Sequence, residues 1–389
     1  MRKRPNLRPT HRVSERPPFE RIALILQGGG ALGAYQGGVY QALDEAGVVP
    51  DCVAGISIGA INAALIAGNA PGERLAKLRA FWEEVSQSPL GIPPLPSGTL
   101  HNDDLHRVIN QSRALAILFF GAPGFFAPRL PPPYLMPPGP DATSFYEVDQ
   151  LKTTLGRLVD FDCINSRKTR LVVGAVNVRS GNFAYFDNET QRIGPEHIMA
   201  SGALPPGFPA TEIEGEYYWD GGLVSNTPLQ WLLDSRPRRD TLAFQVDLWC
   251  AQGEVPRTIV EASVREKEIR YSSRTRAATD QFRVHQKLRR AVAHLTAKMP
   301  AELRSNEDWA LVASVGDEKV YNIIELIYHA RSYEGVAKDF EFSRYTMEEH
   351  WASGYQDAVR TLRHPEVLER PASKDGVMTF DINEDGRDR

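Results

Sequence analysis

The sequence predicts an α/β fold with a largely parallel central sheet. Two short apolar runs, Arg21–Leu26 and Cys52–Ile56, are typical of buried strands. Each run leads through a glycine-containing turn into a segment with helical spacing, which is the order of a βαβ unit. The composition agrees, since 389 residues that are 42% apolar and 24% charged provide ample material for a buried core.

The remaining elements follow from local signals. Helices are predicted over residues 31–47, where Gly47 marks the end, and over 60–68. Between residues 89 and 140 many prolines interrupt the pattern, so we expect an excursion from the sheet with one helix near 104–120. Further strands are predicted at 171–176, 183–186, 216–219, 241–247 and 320–328, and further helices at 259–299 and 347–362.

These patterns divide the chain into four regions. Residues 1–19 form a flexible basic arm, and residues 20–250 form the α/β domain. Pro256 marks a boundary, after which residues 251–369 form a mostly helical C-terminal region. Residues 370–389 form a polar tail.

Charge and cysteine content exclude several classes of protein. The formal net charge of −4 gives no electrostatic reason to expect nucleic-acid binding. Three widely spaced cysteines indicate neither a disulfide framework nor a zinc site, and they fit a reducing cytosol. No apolar run reaches the roughly 18 residues needed to span a membrane. We therefore expect a cytoplasmic protein, whose basic arm is either a solvated segment or a weak tether to anionic lipid at the inner face of the membrane.

The first candidate motif for chemistry is Gly55-Ile56-Ser57-Ile58-Gly59, at the junction of a predicted strand and helix. A serine on such a sharp turn needs small neighbours, which Gly55 and Gly59 provide. The following helix directs its N-terminal dipole toward the Ser57 hydroxyl and favours negative charge there. The motif predicts a nucleophile; the alternative is a packing turn whose serine caps the helix.

The second motif is the glycine loop from Gly28 to Gly33, directly after the first strand. Its spacing matches the dinucleotide-binding pattern G-x-G-x-x-G, but Asp51 precedes the second strand instead of ending it. The other interpretation is an oxyanion hole, in which bare backbone amides point at developing negative charge. A phosphate loop and a plain turn remain as alternatives.

The third motif is Asp220-Gly221-Gly222, which follows a predicted strand. Alone it resembles a hairpin turn, but a serine nucleophile needs a base and Asp220 ends a strand. A carboxylate takes a proton from serine only at about 2.6–3.2 Å and when partly desolvated. Among the nine histidines, His329 is the best candidate for a conventional triad instead.

Taken together and in this order, the three motifs resemble the patatin-like phospholipase family. The segments Val53–Ala64, Ala200–Pro209 and Asp220–Pro228, the last with Asn226, are similar to the family's serine elbow, Ala-Ser-x-Ala-x-Pro segment and Asp-Gly-Gly loop. The resemblance covers about residues 20–250 and implies a three-layer α/β sandwich with a helical C-terminal extension. It also implies Ser57 and Asp220 as a catalytic dyad without histidine, and no metal or organic cofactor.

The resemblance implies further roles in the site. Gly28, Gly29, Gly30, Ala31 and Ile58 would form the oxyanion hole, and Gly33, Gly55, Gly59, Gly221, Gly222 and Asn226 would support the motifs. One departure is Leu32, where many members of the family carry Arg or Lys in the glycine loop. The departure puts a preference for anionic headgroups in question.

The predicted function is hydrolysis of lipid acyl esters, of the phospholipase A or lysophospholipase type. A soluble short-chain esterase or thioesterase is an alternative, as is a catalytically silent interaction protein on the same fold. The aromatic-rich stretch 114–136 is either a lid or lipid-contacting surface, or else packs on the body of the protein. The substrate would be a phospholipid or another lipid ester, with peripheral membrane contact.

Overall fold

The computed structural model of the chain describes residues 7–89, 103–272, 275–300, 302, 304, 307–331, 333–371 and 375–382. Its centre is a nine-stranded mixed sheet with the strand order β11-β10-β9-β1-β2-β5-β8-β7, in which β6 also pairs with β5. The strands are β1 Arg21–Leu26, β2 Cys52–Ile56, β5 Arg170–Asn177, β6 Phe183–Asp187, β7 Thr211–Ile213, β8 Glu216–Asp220, β9 Thr241–Asp247, β10 Tyr321–Ile327 and β11 Val377–Asp381, and a separate short pair is β3 Ala127–Pro128 with β4 Tyr146–Glu147. The six strands from β11 to β5 pair in parallel, so the predicted α/β class with a mainly parallel sheet is confirmed.

Helices cover both faces of the sheet. They are α1 Ala34–Ala46, α2 Ile58–Ala67, α3 Arg74–Val85, α4 Asp103–Phe120, α5 Asp149–Leu158, α6 Phe161–Asn165, α7 Pro195–Ser201, α8 Leu229–Asp234, α9 Ile259–Tyr271, α10 Thr275–Ala297, α11 Glu307–Val315 and α12 Arg344–Leu362. Of the helices within the described residues, none is both long and apolar enough to cross a bilayer.

The alternation of side chains along the strands explains the three layers. In β1, Leu24 and Leu26 join the main core cluster, to which α1, α2, α3 and α12 contribute. Their neighbours Ala23 and Ile25 face the opposite side, where they pack with Leu232 of α8. Every residue of β1 and β2 is buried, as expected for central strands covered on both faces.

Two helix predictions differ from the structure in detail. Helix α2 begins at Ile58, two residues before the predicted start at residue 60, because Ser57 already serves as its N-terminal flanking residue. The single long helix predicted over 259–299 is two helices, α9 and α10; α9 ends before Ser272, whose ψ of 146° is extended backbone.

The C-terminal region is more than a helical extension. Strand β10 pairs in parallel with β9, and β11, which lies in the stretch expected to be a polar tail, pairs with β10, so these two strands complete the central sheet. Trp351 of α12 packs directly against α1, where a Cβ added at Gly37 would approach its ring to 2.2 Å. The boundary expected near residue 250 therefore does not separate two cores, since an uncovered β9 would leave its backbone polar groups without partners.

The described part of the basic arm, residues 7–19, is not a free segment. Phe19 is buried in the main core, and the Val13 amide donates to the Ala46 carbonyl at 2.9 Å. Arg16 forms an ion pair with Asp51 at 2.5 Å. The expectation of a flexible arm is wrong for these residues because apolar side chains and backbone bonds hold them on α1 and β2; residues 1–6 lie outside the described part of the chain.

Candidate active site

Ser57 lies on a strained turn between β2 and α2. Its backbone has φ 55° and ψ −126°, a conformation that side-chain-bearing residues rarely adopt. A Cβ added at Gly55 would lie 2.2 Å from the Gly59 carbonyl oxygen, so the turn closes only with small flanking residues, as the motif predicts. The Ser57 side chain makes no capping hydrogen bond to α2, which removes the interpretation of Ser57 as a simple helix cap.

Ser201, at the end of α7, holds this turn in place, and sequence analysis did not single it out. Its Oγ accepts a hydrogen bond from the Ser57 amide at 2.9 Å and donates one to the Gly174 carbonyl at 2.6 Å. The bond to Gly174 is buried and the bond from Ser57 is partly buried, and together they fix the backbone of the turn to β5. The signal was present in the Ala-Ser-x-Ala-x-Pro segment, but a serine there carries no local pattern that indicates its partner.

Asp220 reaches Ser57 by strand register. Asp220 ends β8, as predicted, and β8 is antiparallel to β5, so it runs against the parallel strands β2 and β5. The pairing places Asp220 opposite Ala175, while the adjacent Gly174 lies opposite Ile56, the residue before Ser57. Asp220 and Ser57 therefore meet from opposite strand directions.

The environment of Asp220 suits a proton acceptor. The residue is 2% exposed, and desolvation raises the pKa of its carboxyl to about 6. Hydrogen bonds from the Ser57 side chain and from the Gly222 amide, the latter at 2.7 Å, oppose that rise in pKa. The carboxylate therefore remains ionised at neutral pH yet is a stronger base than an exposed aspartate.

The glycine loop bends sharply against the C-terminal region. Gly30 has φ +56°, and a Cβ there would lie 2.0 Å from the Asp339 carbonyl oxygen, so the position requires glycine. That same carbonyl accepts the Ala31 amide at 2.8 Å, which removes Ala31 from the predicted oxyanion donors. The Gly28 amide is also engaged, by the Asn226 carbonyl at 3.3 Å. Within the described residues, no acceptor takes the amides of Gly29, Gly30 and Ile58.

Asn226 and Trp249 set the orientation of the loop. The Gly28 carbonyl accepts hydrogen bonds from Asn226 Nδ2 and Trp249 Nε1, each at 3.0 Å. In a trans peptide the carbonyl and the following N–H point in opposite directions, so both bonds direct the Gly29 N–H away from Asn226. Asn226 Nδ2 also donates to the Tyr271 carbonyl at 2.8 Å, which fixes the amide group itself.

Gln27 is a second residue that sequence analysis missed. It is fully buried, and its Oε1 accepts the amides of Leu248 and Trp249 at 2.6 and 3.0 Å. Its Nε2 donates to Thr227 Oγ1 at 3.1 Å. Gln27 thus joins the ends of β1 and β9 to the Asp-Gly-Gly loop. The signal in the sequence that could have identified Gln27 is a polar residue directly between an apolar strand and the glycine loop.

The remaining supporting glycines lie close to these groups. A Cβ at Gly33 would approach Ile58 Cγ1 to 2.6 Å, one at Gly59 the Leu26 carbonyl oxygen to 2.3 Å, and one at Gly221 the Gly174 carbonyl oxygen to 2.7 Å. Each of these positions therefore permits a close approach between two elements of the site.

One cavity of about 240 Å³ is lined by Ser57, Asp220 and three residues of the glycine loop, Gly28, Gly29 and Gly30. Most of its wall is apolar, and Ile61, Leu118, Phe125, Phe126, Tyr146 and Phe208 contribute to it. The C-terminal region adds Asp339, Phe340 and Phe342, so the cavity needs residues beyond 250. The stretch 114–136 divides: Phe125 and Phe126 are buried in the wall, whereas Phe119 and Tyr134 are exposed.

Histidine does not take part in this cavity among the described lining residues. His329, the candidate for a conventional triad, instead hydrogen-bonds Cys250 and lowers the pKa of that thiol. Asp51, considered as a ribose ligand, accepts the Ile22 amide at 2.8 Å at the start of β2. Within the described residues no group of three or more His, Cys, Asp or Glu side chains is arranged to hold a metal ion.

Two family models match the chain. The model described as patatin-like phospholipase matches residues 24–233, more than half of the chain, and includes every motif above. A second model, DUF3734, described as patatin phospholipase, matches residues 269–374.

Curated relatives are similar over short segments. The chain is 35% identical over 100 residues to the human patatin-like phospholipase domain-containing protein 6, covering 24% of this chain and 7% of that protein. It is 48% identical over 60 residues to lysophospholipase nte1 of Aspergillus terreus, covering 15% and 4% of the two chains. An uncharacterized NTE family protein of Mycobacterium tuberculosis is 42% identical over 80 residues, 20% of this chain and 13% of that protein. The chain thus spans only a small part of each of these relatives.

Among solved structures, VipD from Legionella pneumophila aligns with 94% of this chain and 73% of its own, with a TM-score of 0.41 and 15% identity.

Proposed function

The chain belongs to the patatin-like phospholipase family, and we propose that it is a serine hydrolase that cleaves the carboxylic esters of lipids, as a phospholipase A or lysophospholipase does. One observation carries the proposal. Ser57 on its strained turn and the buried carboxylate of Asp220 line the same cavity as the glycine loop.

In the proposed reaction Asp220 accepts the proton of Ser57 as Ser57 Oγ attacks the ester carbonyl carbon. The tetrahedral intermediate collapses and expels the alcohol, which takes the proton from Asp220. Water then attacks the acyl-serine, Asp220 accepts its proton, and the fatty acid leaves while Ser57 regains a proton. No metal or organic cofactor is part of these steps.

The oxyanion is held in this proposal by the amides of Gly29, Gly30 and Ile58. The bonds to the Gly28 carbonyl orient the first of these donors before substrate arrives. The Ile58 amide belongs to the first turn of α2, whose N-terminal dipole adds to the attraction for negative charge. Each such donor is worth about 10²–10³ in rate.

The apolar wall supports an acyl chain as the group that enters the cavity. Phe125 and Phe208 lie with ring centroids 5.9 Å apart, and Phe126 and Phe208 are 5.3 Å apart. Such a surface gains free energy by removing hydrocarbon from water and offers few partners to a polar substrate. A short-chain thioester would fill only part of it.

A substrate panel tests the proposal against its alternatives. We expect turnover of p-nitrophenyl esters to rise with acyl length, turnover of phospholipid or lysophospholipid, and labelling of Ser57 by a fluorophosphonate. A preference for acetyl or thioester substrates would favour the soluble esterase or thioesterase. Absence of both labelling and turnover would favour a silent interaction protein.

The activity should depend on pH through Asp220. Because the base must be ionised and its pKa is about 6, kcat/KM should fall about tenfold per unit below pH 6 and level off above about pH 7. The measurement is kcat/KM for p-nitrophenyl butyrate from pH 4.5 to 8.5, with the unfolding temperature followed in parallel. A flat profile across pH 5 to 7 would remove Asp220 as the base.

Asn226→Ala should reduce kcat by about 10²-fold with a smaller change in KM. The substitution removes one of the two bonds to the Gly28 carbonyl, so the Gly29 amide is less well directed at the transition state. The neighbouring Ser225→Ala is the matched control, since the Ser225 hydroxyl donates to the Thr227 carbonyl. Equal kinetics of the two variants would contradict the role of Asn226.

A further inference from the structure

We propose that the mouth of the cavity is surrounded by a docking surface that inserts apolar side chains into a lipid bilayer. We define the docking surface as Leu115, Phe119, Phe120, Leu130, Tyr134 and Leu135. It comprises the end of α4 and the loop between β3 and β4.

The side chains of the docking surface are unusually exposed for their chemistry. Phe119 is 72% exposed, Leu130 83%, Tyr134 76% and Leu135 69%. Single exposed apolar residues are common on proteins, but a group of large ones on adjoining segments indicates contact with an apolar partner.

The end of α4 carries apolar side chains on its exposed face as well as on its buried face. Ala114 and Ile117 are buried against the body of the protein, at 2% and 3% exposure. Leu115 and Phe119, four residues apart on the opposite side, are turned to solvent at 53% and 72% exposure. One face of the helix thus packs on the protein, and a second apolar face has no partner within the described residues.

Hydrogen bonds connect the end of α4 to β4 and join the two ends of the loop between β3 and β4. Tyr146 Oη donates to the Leu118 carbonyl at 2.9 Å, and the Arg129 amide donates to the Phe145 carbonyl at 2.9 Å. Arg129 is neutralised by Asp141 at 2.8 Å. The helix end and the loop are therefore both tied to the β3–β4 pair, and the charge of Arg129 is paired with Asp141, which suits insertion into the apolar part of a bilayer more than attraction to its headgroups.

Continuity with the cavity identifies a bilayer as the partner. Leu118 is 38% exposed and also lines the cavity, as do Phe126 and Tyr146, which lie next to the two ends of the loop between β3 and β4. An acyl chain leaving the bilayer here would enter the cavity without crossing water. This step rests on the proposed function, since it treats the cavity as the ester-binding site.

The test is flotation with vesicles of pure phosphatidylcholine. We expect the wild-type chain to bind, binding to persist in high salt, and the double variant Phe119→Ser with Leu135→Ser to lose at least about tenfold in partitioning. The matched control removes two leucines from the exposed face of α10, Leu288→Ser with Leu295→Ser, which are 60% and 66% exposed and should leave binding unchanged. Hydrolysis of the soluble ester p-nitrophenyl butyrate should be the same in all three proteins.

Several outcomes would overturn the docking surface. The first two are undiminished binding by the Phe119/Leu135 variant and loss of binding by the α10 variant. The third is binding that requires phosphatidylglycerol and disappears in high salt. The fourth is a wild-type dimer that only the Phe119/Leu135 variant dissociates. A wild-type chain that floats but hydrolyses no ester would instead overturn the proposed function and leave the docking surface standing. Hydrolysis of soluble esters without vesicle binding would overturn the docking surface and leave the proposed function standing.

Discussion

Replacing Ser57 by alanine should lower kcat for p-nitrophenyl butyrate by at least about 10⁴-fold, because the reaction then loses its nucleophile. The fold should remain, since the backbone contact that positions residue 57, its amide to Ser201 Oγ at 2.9 Å, needs no side chain at position 57. Loss of fluorophosphonate labelling together with an unchanged circular dichroism spectrum is the expected pair of results.

Ser57→Gly separates the chemistry from the strain. It lacks the hydroxyl as well and should be equally inactive, but glycine adopts φ 55° and ψ −126° freely. We expect this variant to be more stable than Ser57→Ala by about 1 kcal/mol in urea unfolding. Wild-type turnover in either variant would rule out Ser57 as the nucleophile.

Asp220→Asn should lower kcat by about 10³- to 10⁴-fold, since an amide cannot accept the Ser57 proton. The geometry should survive, because an asparagine oxygen can still accept the Gly222 amide that now bonds to Asp220 at 2.7 Å. The measurement is kcat and kcat/KM at pH 8, where the wild-type carboxylate is ionised.

The same substitution should stabilise the protein at alkaline pH. Folding raises the pKa of Asp220 from 3.8 to about 6, so the folded state binds the proton more tightly than the unfolded chain does. The favourable contribution of protonated Asp220 is fully present below pH 3.8 and is lost as pH rises through about 6. By pH 8 the buried charge costs about 3 kcal/mol, which asparagine avoids.

Unfolding measured at pH 4.5 and pH 8 tests this sign. Asp220→Asn should gain stability over wild type at pH 8 and much less at pH 4.5. The control is Asp280→Asn, whose side chain is 71% exposed and should show no such pH-dependent gain. If Asp220→Asn is instead less stable than wild type at pH 8, the contacts of the Asp220 carboxylate outweigh the cost of burying its charge.

Local sequence signals were sufficient to predict the strands and the turn that carry Ser57 and the glycine loop. Continuous apolar runs predicted β1 and β2 with their correct bounds, and the glycines around Ser57 predicted the strained turn. These predictions succeed because strand burial and a tight turn depend on residues within a few positions of one another. The family resemblance is confirmed by the model match over residues 24–233.

Contacts between distant residues explain the predictions that failed. Ala31 was expected to donate to the oxyanion, but its amide is taken by Asp339, more than 300 positions away. Asp220 was singled out because it ends a strand, but its place beside Ser57 depends on the antiparallel register of β8 with β5. No local pattern in either segment specifies those partners.

The sequence by itself determined the order of the strands and helices in the first 70 residues, the strained turn at Ser57 and the bare glycine loop, because each rests on steric rules that act between neighbours. Only the tertiary structure decided that β10 and β11 close the sheet, that Asp339, Phe340 and Phe342 complete the cavity wall, and that burial raises the pKa of the Asp220 carboxyl. Those properties arise from desolvation and pairing between segments far apart in the chain, which depend on how the whole molecule packs.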